Sequence, residues 1–496
     1  MCIMKLFQKD SNFYKKVIVL ALPIALQSLI TVGVNMLDTI MLGRIGDELT
    51  AELGTEASKI ASSNSVSAAA FANSFISIYH ILCMGLGMGA SVLVSRYWGM
   101  KQHTKDTIAA DDSDPDKALK QTASLMLRLA MGLALIFALL TLFFAPQIMG
   151  TYISAKDPQK DDILARGVGY LRYSIPTYFF LGSSLVTTIV LRSVGQALYP
   201  LFVSIGAFFV NLIANYMLIF GKWGAPRMEV EGAALGTLIA RIFEAVCILV
   251  YLFVVDKKMQ FRIRHLFMSC KSLLKEYIRI CIPVLISDGL LAFGNNTFAQ
   301  IIGKLGFGAA NSITSVTQQL STVGIQGVCQ AGAIVTGQTL GTGDRERTMK
   351  QGWMFLGLGL ALGTISAGFI FGFSPLIISG YSVTAADKTI AGHLMDAISL
   401  IIIFQATNSI MTKGVLRGGG DTKMLMLMDN VFLWAIALPL GAVAGFVLHW
   451  SPFWIYVCLK SDQIIKSVWC VFRLRSGKWI KKISTGDKEE KKAALN

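Results

Sequence analysis

One carboxylate, that of Asp38, lies inside the long apolar segment that runs from Val17 to Leu42. An acid at such a position costs about 2.5–3.5 kcal/mol on membrane-insertion scales, so its presence calls for a function. Asn35 precedes Asp38 by three residues, which places an amide on the same helical face. This pair predicts a helix face that borders a cavity. The alternative is an acid at the outer helix end, about one turn before Arg44.

A second polar set follows in two later apolar segments. Asn211 and Asn215 are four residues apart and share a helix face, and Thr237 lies in the next segment. Together with Asp38 they offer the oxygen ligands that hard cations accept, and the carboxylate could instead take up a proton. We therefore predict a cation-binding and coupling site at Asp38, Asn211, Asn215 and Thr237. Helix–helix hydrogen bonds of the amides are the alternative.

Other polar residues in the apolar segments are weaker candidates. The further candidate contributors are Asn35, His80, Glu244, Asp288 and Gln405. A local ion pair with Arg241 also explains Glu244, and a structural hydrogen bond also explains His80, which could otherwise shuttle protons. Asp429 lies near a helix end and is predicted to have no special role.

The composition requires a membrane to position these residues. Of the 496 residues, 54% are hydrophobic and 15% are charged, and the mean hydropathy is +0.58. A soluble protein carries about 25% charged residues, whereas apolar runs of about 20 residues span a bilayer as helices. We predict an all-α polytopic membrane protein with twelve transmembrane helices. The spans are 17–42, 66–96, 120–145, 164–191, 198–221, 230–255, 273–302, 308–340, 349–373, 389–412, 424–449 and 452–472.

The net charge of +15 follows the predicted topology. With the N-terminus inside, most Lys and Arg fall in the inside loops, above all in a basic linker at 256–272 and a tail at 475–496. This distribution indicates contact with the lipid bilayer and excludes a nucleic-acid partner. It predicts a multi-pass protein of the plasma membrane with both termini in the cytoplasm and a disordered tail.

Three motif pairs indicate an internal duplication. Pro23 aligns with Pro283 at an offset of 260, the block GASVLVSRYWG (89–99) aligns with AGAIVTGQTLG (331–341) at 242, and two Leu-Arg-x-x-Gly turns align at 225. The shorter second offset places about 18 extra residues in the first half, and the acidic stretch 47–64 is their predicted site. We predict an N-lobe at 1–255 and a C-lobe at 273–474.

Six spans in each half give a parallel repeat. We therefore expect the two six-helix lobes to be related by a pseudo-two-fold axis along the membrane normal. Such a repeat favours a carrier that binds its substrate between the lobes, because a channel or receptor needs no duplication.

The chain resembles the multidrug and toxic compound extrusion (MATE) family in the order and spacing of these motifs. The same resemblance extends to the segments Asp38 to Arg44, Asn211-x-x-x-Asn215 and Gly232 to Thr237. The resemblance implies a two-lobed antiporter that expels organic cations, using a sodium or proton gradient and no other cofactor. It implies that Asp38, Asn211 and Thr237 belong to an N-lobe cation site, as ligands for sodium. Asn215 stands where many relatives carry an acid. Nothing in the sequence requires a partner subunit, so we predict a functional monomer.

Three other functions fit parts of the pattern. A lipid-linked oligosaccharide flippase shares the plan of the superfamily but needs a cationic cavity, and the charge near the bilayer midplane is predicted to be mostly acidic. A channel agrees with the composition alone. An intramembrane enzyme is not expected, because the chain carries no H-E-x-x-H, G-x-S-x-G or Walker A motif.

Overall fold

The computed structural model of the protein describes residues 10–45, 54–106, 115–153, 158–379 and 384–481. These ranges are built from helices, and no strand occurs within them. A helix satisfies all of its backbone hydrogen bonds within one segment, which a chain in lipid requires. The all-α prediction is confirmed. Residues 47–53 of the predicted insertion and the tail from residue 482 lie outside the described residues.

Fifteen α-helices follow one another in the described part of the chain. In the first half they are α1 (Ser11–Gly43), α2 (Thr55–Asp106), α3 (Pro115–Gly150), α4 (Lys160–Tyr173), α5 (Ile175–Ser193), α6 (Leu198–Phe220) and α7 (Glu229–Val250). In the second half they are α8 (Lys271–Lys304), α9 (Gly308–Gly341), α10 (Arg345–Ser379), α11 (Ala385–Ser409), α12 (Thr422–Val431), α13 (Leu438–Phe446), α14 (Pro452–Leu459) and α15 (Ser461–Ser476). Short π-helical stretches follow α7, α11 and α12.

Each of the twelve predicted spans coincides with a helix or with a broken helix. Within the described residues, ten helical segments are long and apolar enough to cross a membrane. The other two predicted spans are α9, which is rich in Ser, Thr and Gln, and the pair α14 and α15, which is interrupted at Lys460. The helix α2 extends about ten residues beyond each end of its predicted span, 66–96. Its polar end residues add helical turns to a helix that has already formed.

The chain divides into two compact units. One comprises 22–88 and 123–271, and the other comprises 1–21, 89–122 and 272–496. The first parts of α1 and α3 and the last part of α2 thus group with the second half of the sequence. The predicted lobe boundaries remain a prediction, since these units follow packing and not the repeat.

Two repeat-related helix ends pack against each other within the second unit. A Cβ added at Gly99 would lie 2.9 Å from the carbonyl carbon of Gln338, and one added at Gly341 would lie 3.0 Å from the amide nitrogen of Met100 and 3.1 Å from the carbonyl carbon of Arg96. At the repeat offset of 242, Gly99 aligns with Gly341 and Arg96 aligns with Gln338. Each glycine therefore packs against the repeat equivalent of the residue that the other glycine contacts.

The residue pair Ser95 and Gly337 marks the centre of this reciprocal contact. The two positions correspond to each other at the same offset of 242. A Cβ at Gly337 would lie 2.8 Å from the Cβ of Ser95. A position that faces its own repeat equivalent lies on a local two-fold axis, as the duplication predicts.

The two Leu-Arg-x-x-Gly turns also have matching structures. Each ends in a glycine with a left-handed backbone, Gly195 at φ 80° and Gly420 at φ 86°. Arg192 donates to the Gln27 side-chain oxygen in one unit. Arg417 pairs with Asp288 at 3.1 Å in the other unit. In each half, the arginine therefore fastens the turn to the first helix of its repeat.

A buried ion cluster lies in the second unit between α12 and α15. The Lys466 ammonium is 3.0 Å from Asp462 Oδ2 and 3.5 Å from Asp429 Oδ1, and the Lys466 and Asp462 side chains are both 2% exposed. Gln463 donates to Asp462 at 2.7 Å and accepts from Asn408 at 2.9 Å. The expectation that Asp429 has no special role is wrong, because it is buried and needs the lysine for compensation.

Candidate cation site

The predicted site residues of α1, α6 and α7 come together around Asp38. The Asn215 side-chain amide donates to Asp38 Oδ1 at 2.6 Å and to Asn211 Oδ1 at 3.3 Å. Both asparagines are buried, and Asn215 has no exposed surface. The amide nitrogen of Asn215 thus faces Asp38 Oδ1, which accepts the hydrogen bond.

Asp38 borders a cavity of about 380 Å³ within the same unit. Its walls come from α1, α2, α4, α5 and α7. The polar and charged lining residues are Thr31, Asn35, Asp38, Thr39, Asn73, Ser77, His80, Tyr170, Ser174, Thr177, Thr237 and Arg241. A half-buried carboxylate therefore faces a volume large enough for water and small ions.

A smaller cavity of about 50 Å³ adjoins it and is lined by Asn211, Ser204 and Glu244. Thr237 and Arg241 line both cavities. Arg241 donates to Glu244 at 2.7 Å. The sequence alternative for Glu244, a local ion pair, is therefore present, and this pair stands beside the Asp38 site.

The remaining predicted contributors have different surroundings. Asn35 and His80 line the larger cavity with Asp38. Asp288 and Gln405 belong to the other unit, where Asp288 pairs with Arg417 and Gln405 accepts from Gln318 at 2.7 Å. Each of these two is held by a partner of its own.

Two residues of the cavity wall were missed by sequence reasoning. Tyr170 donates to Asn73 Oδ1 at 3.1 Å, across α4 and α2. Asn73 follows a run of alanines and Tyr170 precedes the core of its span, so neither residue shows a spacing pattern that indicates a site. Only the fold brings them beside Asp38.

The prediction that the charge near the bilayer midplane is mostly acidic stays a prediction, but the helices also carry bases with little exposure. Arg417 and Lys466 are buried, at 4% and 2% exposure, and Arg192 and Arg241 are at most partly exposed. These bases pair with Asp288, Asp462 and Glu244 or with Gln27. The sequence argument overlooked Lys466 inside its span and placed Arg192 and Arg417 just beyond the ends of their spans.

A family model for MatE matches residues 23–217 and 283–443. The chain belongs to the MatE family. The two matched ranges begin at Pro23 and Pro283, the prolines that the internal repeat aligns. The resemblance found in the sequence is thereby confirmed, and the chain is a multi-pass membrane transporter.

Relatives of this MatE chain match along most of its length. It is 25% identical over 474 residues to the probable multidrug resistance protein NorM of Thermotoga maritima. The aligned region covers 94% of this chain and 93% of NorM. It is 24% identical over 431 residues to the uncharacterized transporter YisQ of Bacillus subtilis, with 85% of this chain and 89% of YisQ covered.

Solved structures show the same fold for this MatE protein. A MATE protein in complex with MaL6 superposes with a TM-score of 0.78 at 17% identity, over 96% of this chain and 99% of the other. A MATE transporter in an outward-facing conformation superposes with a TM-score of 0.76 at 16% identity, over 97% and 99%. The predicted two-lobed all-α fold class is confirmed.

Proposed function

We propose that this MatE chain is a secondary active antiporter that exports organic cations in exchange for sodium ions or protons. The observation that carries the proposal is the half-buried Asp38 carboxylate, hydrogen-bonded to Asn215 and facing a polar cavity of about 380 Å³. A carboxylate held in this way can exchange one positive ligand for another without leaving the membrane.

Coupling needs only a competition at this site. If the ion and the organic cation bind to one carboxylate, or favour different conformations, each weakens the hold on the other. Alternating access between the two repeats then releases them on opposite sides of the membrane. In this proposal Asp38 binds the ion, while Asn211, Asn215 and Thr237 position it.

The cellular setting follows from the same proposal. The basic linker and tail favour a plasma-membrane protein with both termini in the cytoplasm. We propose that it works as a monomer on small-molecule organic cations, with no cofactor besides the coupling ion.

A lipid-linked oligosaccharide flippase is the second candidate. It is favoured by Arg241, whose guanidinium lines the Asp38 cavity and could attract a phosphate. Against it, the guanidinium already donates to Glu244 at 2.7 Å. Transport of an organic-cation dye, but not of a lipid-linked pyrophosphate, would separate the two functions.

The test is efflux of a cationic dye by the reconstituted protein under a sodium and a proton gradient imposed together. We expect Asp38→Asn to reduce efflux to the level of empty vesicles, because the amide keeps the shape of the side chain but cannot hold a charge or a proton. Asp396→Asn, the same change at an exposed acid, should leave efflux unchanged. Full dye efflux by Asp38→Asn would refute the proposal.

A further inference from the structure

Residues 256–270, the linker segment between α7 and α8, are folded onto the helices of their own unit. The Asp256 carboxylate accepts hydrogen bonds from the backbone N–H groups of Lys258, Met259 and Gln260 at 3.1, 2.9 and 3.0 Å. It also accepts from the Gln196 side-chain amide at 2.9 Å. The start of the linker segment is therefore fastened to the turn that follows α5.

The linker segment has apolar anchors of its own. The Met259 and Phe261 side chains have no exposed surface. The Phe261 ring lies 5.9 Å from the ring of Phe253, and Arg262 donates to the Phe253 carbonyl at 2.7 Å. The exposed side chains of the segment therefore project from a packed backbone.

The contacts with α3 show where the linker segment lies relative to the apolar spans. Ser124 donates to the Leu266 carbonyl at 2.9 Å, and Arg128 donates to the Met268 carbonyl at 2.8 Å. Beyond Arg128, α3 runs through residues 129–150 without a charged side chain. The linker segment also begins where the apolar span of α7 ends. Both helices therefore place it at the surface of the bilayer.

Two large apolar side chains of the linker segment face outward. Phe267 is 84% exposed, the largest exposed fraction of any large apolar side chain in the part of the chain that the structure describes, and Ile263 is 62% exposed. They begin and end the short 3₁₀ helix Ile263–Phe267. Apolar side chains at the membrane surface enter the boundary between headgroups and acyl chains, where their burial strengthens binding.

The outward charge of this surface is positive. Residues 256–271 carry five bases and a single acid, Asp256, which is 1% exposed and already accepts four hydrogen bonds. The side chains of Lys257, Lys258, Arg264 and Lys271 are exposed. Each base near an anionic membrane surface strengthens binding about fivefold.

We propose that the linker segment is a binding site for anionic phospholipids. Lys257 and Arg264 contact the lipid phosphates, while Ile263 and Phe267 enter the layer beneath the headgroups. The occupant is a lipid and not an acidic protein, because the apolar side chains project at the level where α3 becomes continuously apolar. The site lies outside the Asp38 cavity, so a binding test can fail without contradicting the proposed antiport.

The first experiment is native mass spectrometry of the purified full-length protein. Titration with phosphatidylglycerol and, separately, with phosphatidylcholine gives the dissociation constant of the first bound lipid. We expect the anionic lipid to bind at least about tenfold more tightly, because the exposed bases attract its net charge. Equal affinities for the two lipids would overturn the proposal without any variant.

A double variant tests the two bases. We expect Lys257→Gln with Arg264→Gln to weaken phosphatidylglycerol binding about 25-fold and to leave phosphatidylcholine binding unchanged. Lys350→Gln with Lys478→Gln is the matched control, since it removes the same charge from two exposed lysines of the other unit. An equal loss in this control would assign the preference to net charge and overturn the proposed site.

A variant of Phe267 tests the apolar contact. We expect Phe267→Ala to weaken the binding of both lipids about tenfold, because both acyl layers bury the ring. Phe371→Ala removes a phenylalanine that is 67% exposed on α10 and should change neither affinity. Unchanged lipid binding by Phe267→Ala would contradict insertion of the segment.

Competition with a free headgroup distinguishes a lipid from a soluble phosphate. Glycerophosphoglycerol carries the headgroup of phosphatidylglycerol without its acyl chains, so we expect it to leave lipid binding unchanged at equal concentration. Displacement of the lipid by this compound would show that the bases bind soluble phosphates and would overturn the assignment to the bilayer.

Discussion

Replacing Lys466 with methionine is expected to destabilise the protein by about 3–5 kcal/mol, the usual cost of leaving buried acids without their partner. The Lys466 ammonium contacts both Asp429 and Asp462, and the Lys466 side chain is 2% exposed. The Asp462 Oδ1 atom is already buried without a hydrogen-bond partner, so no contact at that atom offsets the loss of the lysine. A thermal unfolding curve in detergent measures the loss.

Two further variants test whether charge is the cause. Lys478→Met makes the same change at an exposed lysine and should leave the unfolding temperature unchanged. Combining Lys466→Met with Asp429→Asn and Asp462→Asn removes the uncompensated charge and should recover much of the loss. An unfolding temperature for Lys466→Met equal to that of wild type would show that the cluster contributes nothing.

Alanine at Gly99 or Gly341 is expected to destabilise the protein by about 1–3 kcal/mol, the typical cost of overpacking. At each position a Cβ would meet backbone atoms of the facing helix, which cannot turn aside as a side chain can. Because one small separation of the helices relieves both clashes, the double variant should lose less stability than the sum of the single variants. Thermal unfolding of the three variants measures this coupling.

The matched control for this pair is Gly368→Ala. A Cβ at Gly368, on α10, would meet nothing within 4 Å. There the usual preference of helices for alanine over glycine should stabilise the protein slightly, by about 0.5–1 kcal/mol. Strictly additive losses at Gly99 and Gly341 would mean that the two contacts are independent, against the reciprocal packing described above.

The helices could be predicted from the sequence because lipid imposes length and apolar composition on each span. The predicted span 308–340 agrees with α9 (Gly308–Gly341) to one residue, since glycines bound it. The break at Lys460 and the π-helical stretches were not predicted, because they depend on packing between helices. The two halves were recognisable because their prolines and glycines recur at fixed offsets.

The core of the candidate site was predictable because helical spacing places Asn211 and Asn215 on one face. The donor role of the Asn215 amide was not, since it depends on which atom meets Asp38. The ion pair of Asp462 and Lys466 was overlooked although it has a readable signal. The two residues are four apart in an apolar helix, the spacing at which opposite charges pair.

The contact centred on Ser95 and Gly337 has a consequence for the origin of the chain. A surface that meets its own copy across a two-fold axis is what two identical subunits need in order to associate. A half-length ancestor with this glycine-bearing segment would therefore have had a self-complementary interface before the gene was duplicated. Fusion of two such copies leaves each half free to differ, and here one half carries Asp38 while the other carries the lysine-centred ion cluster.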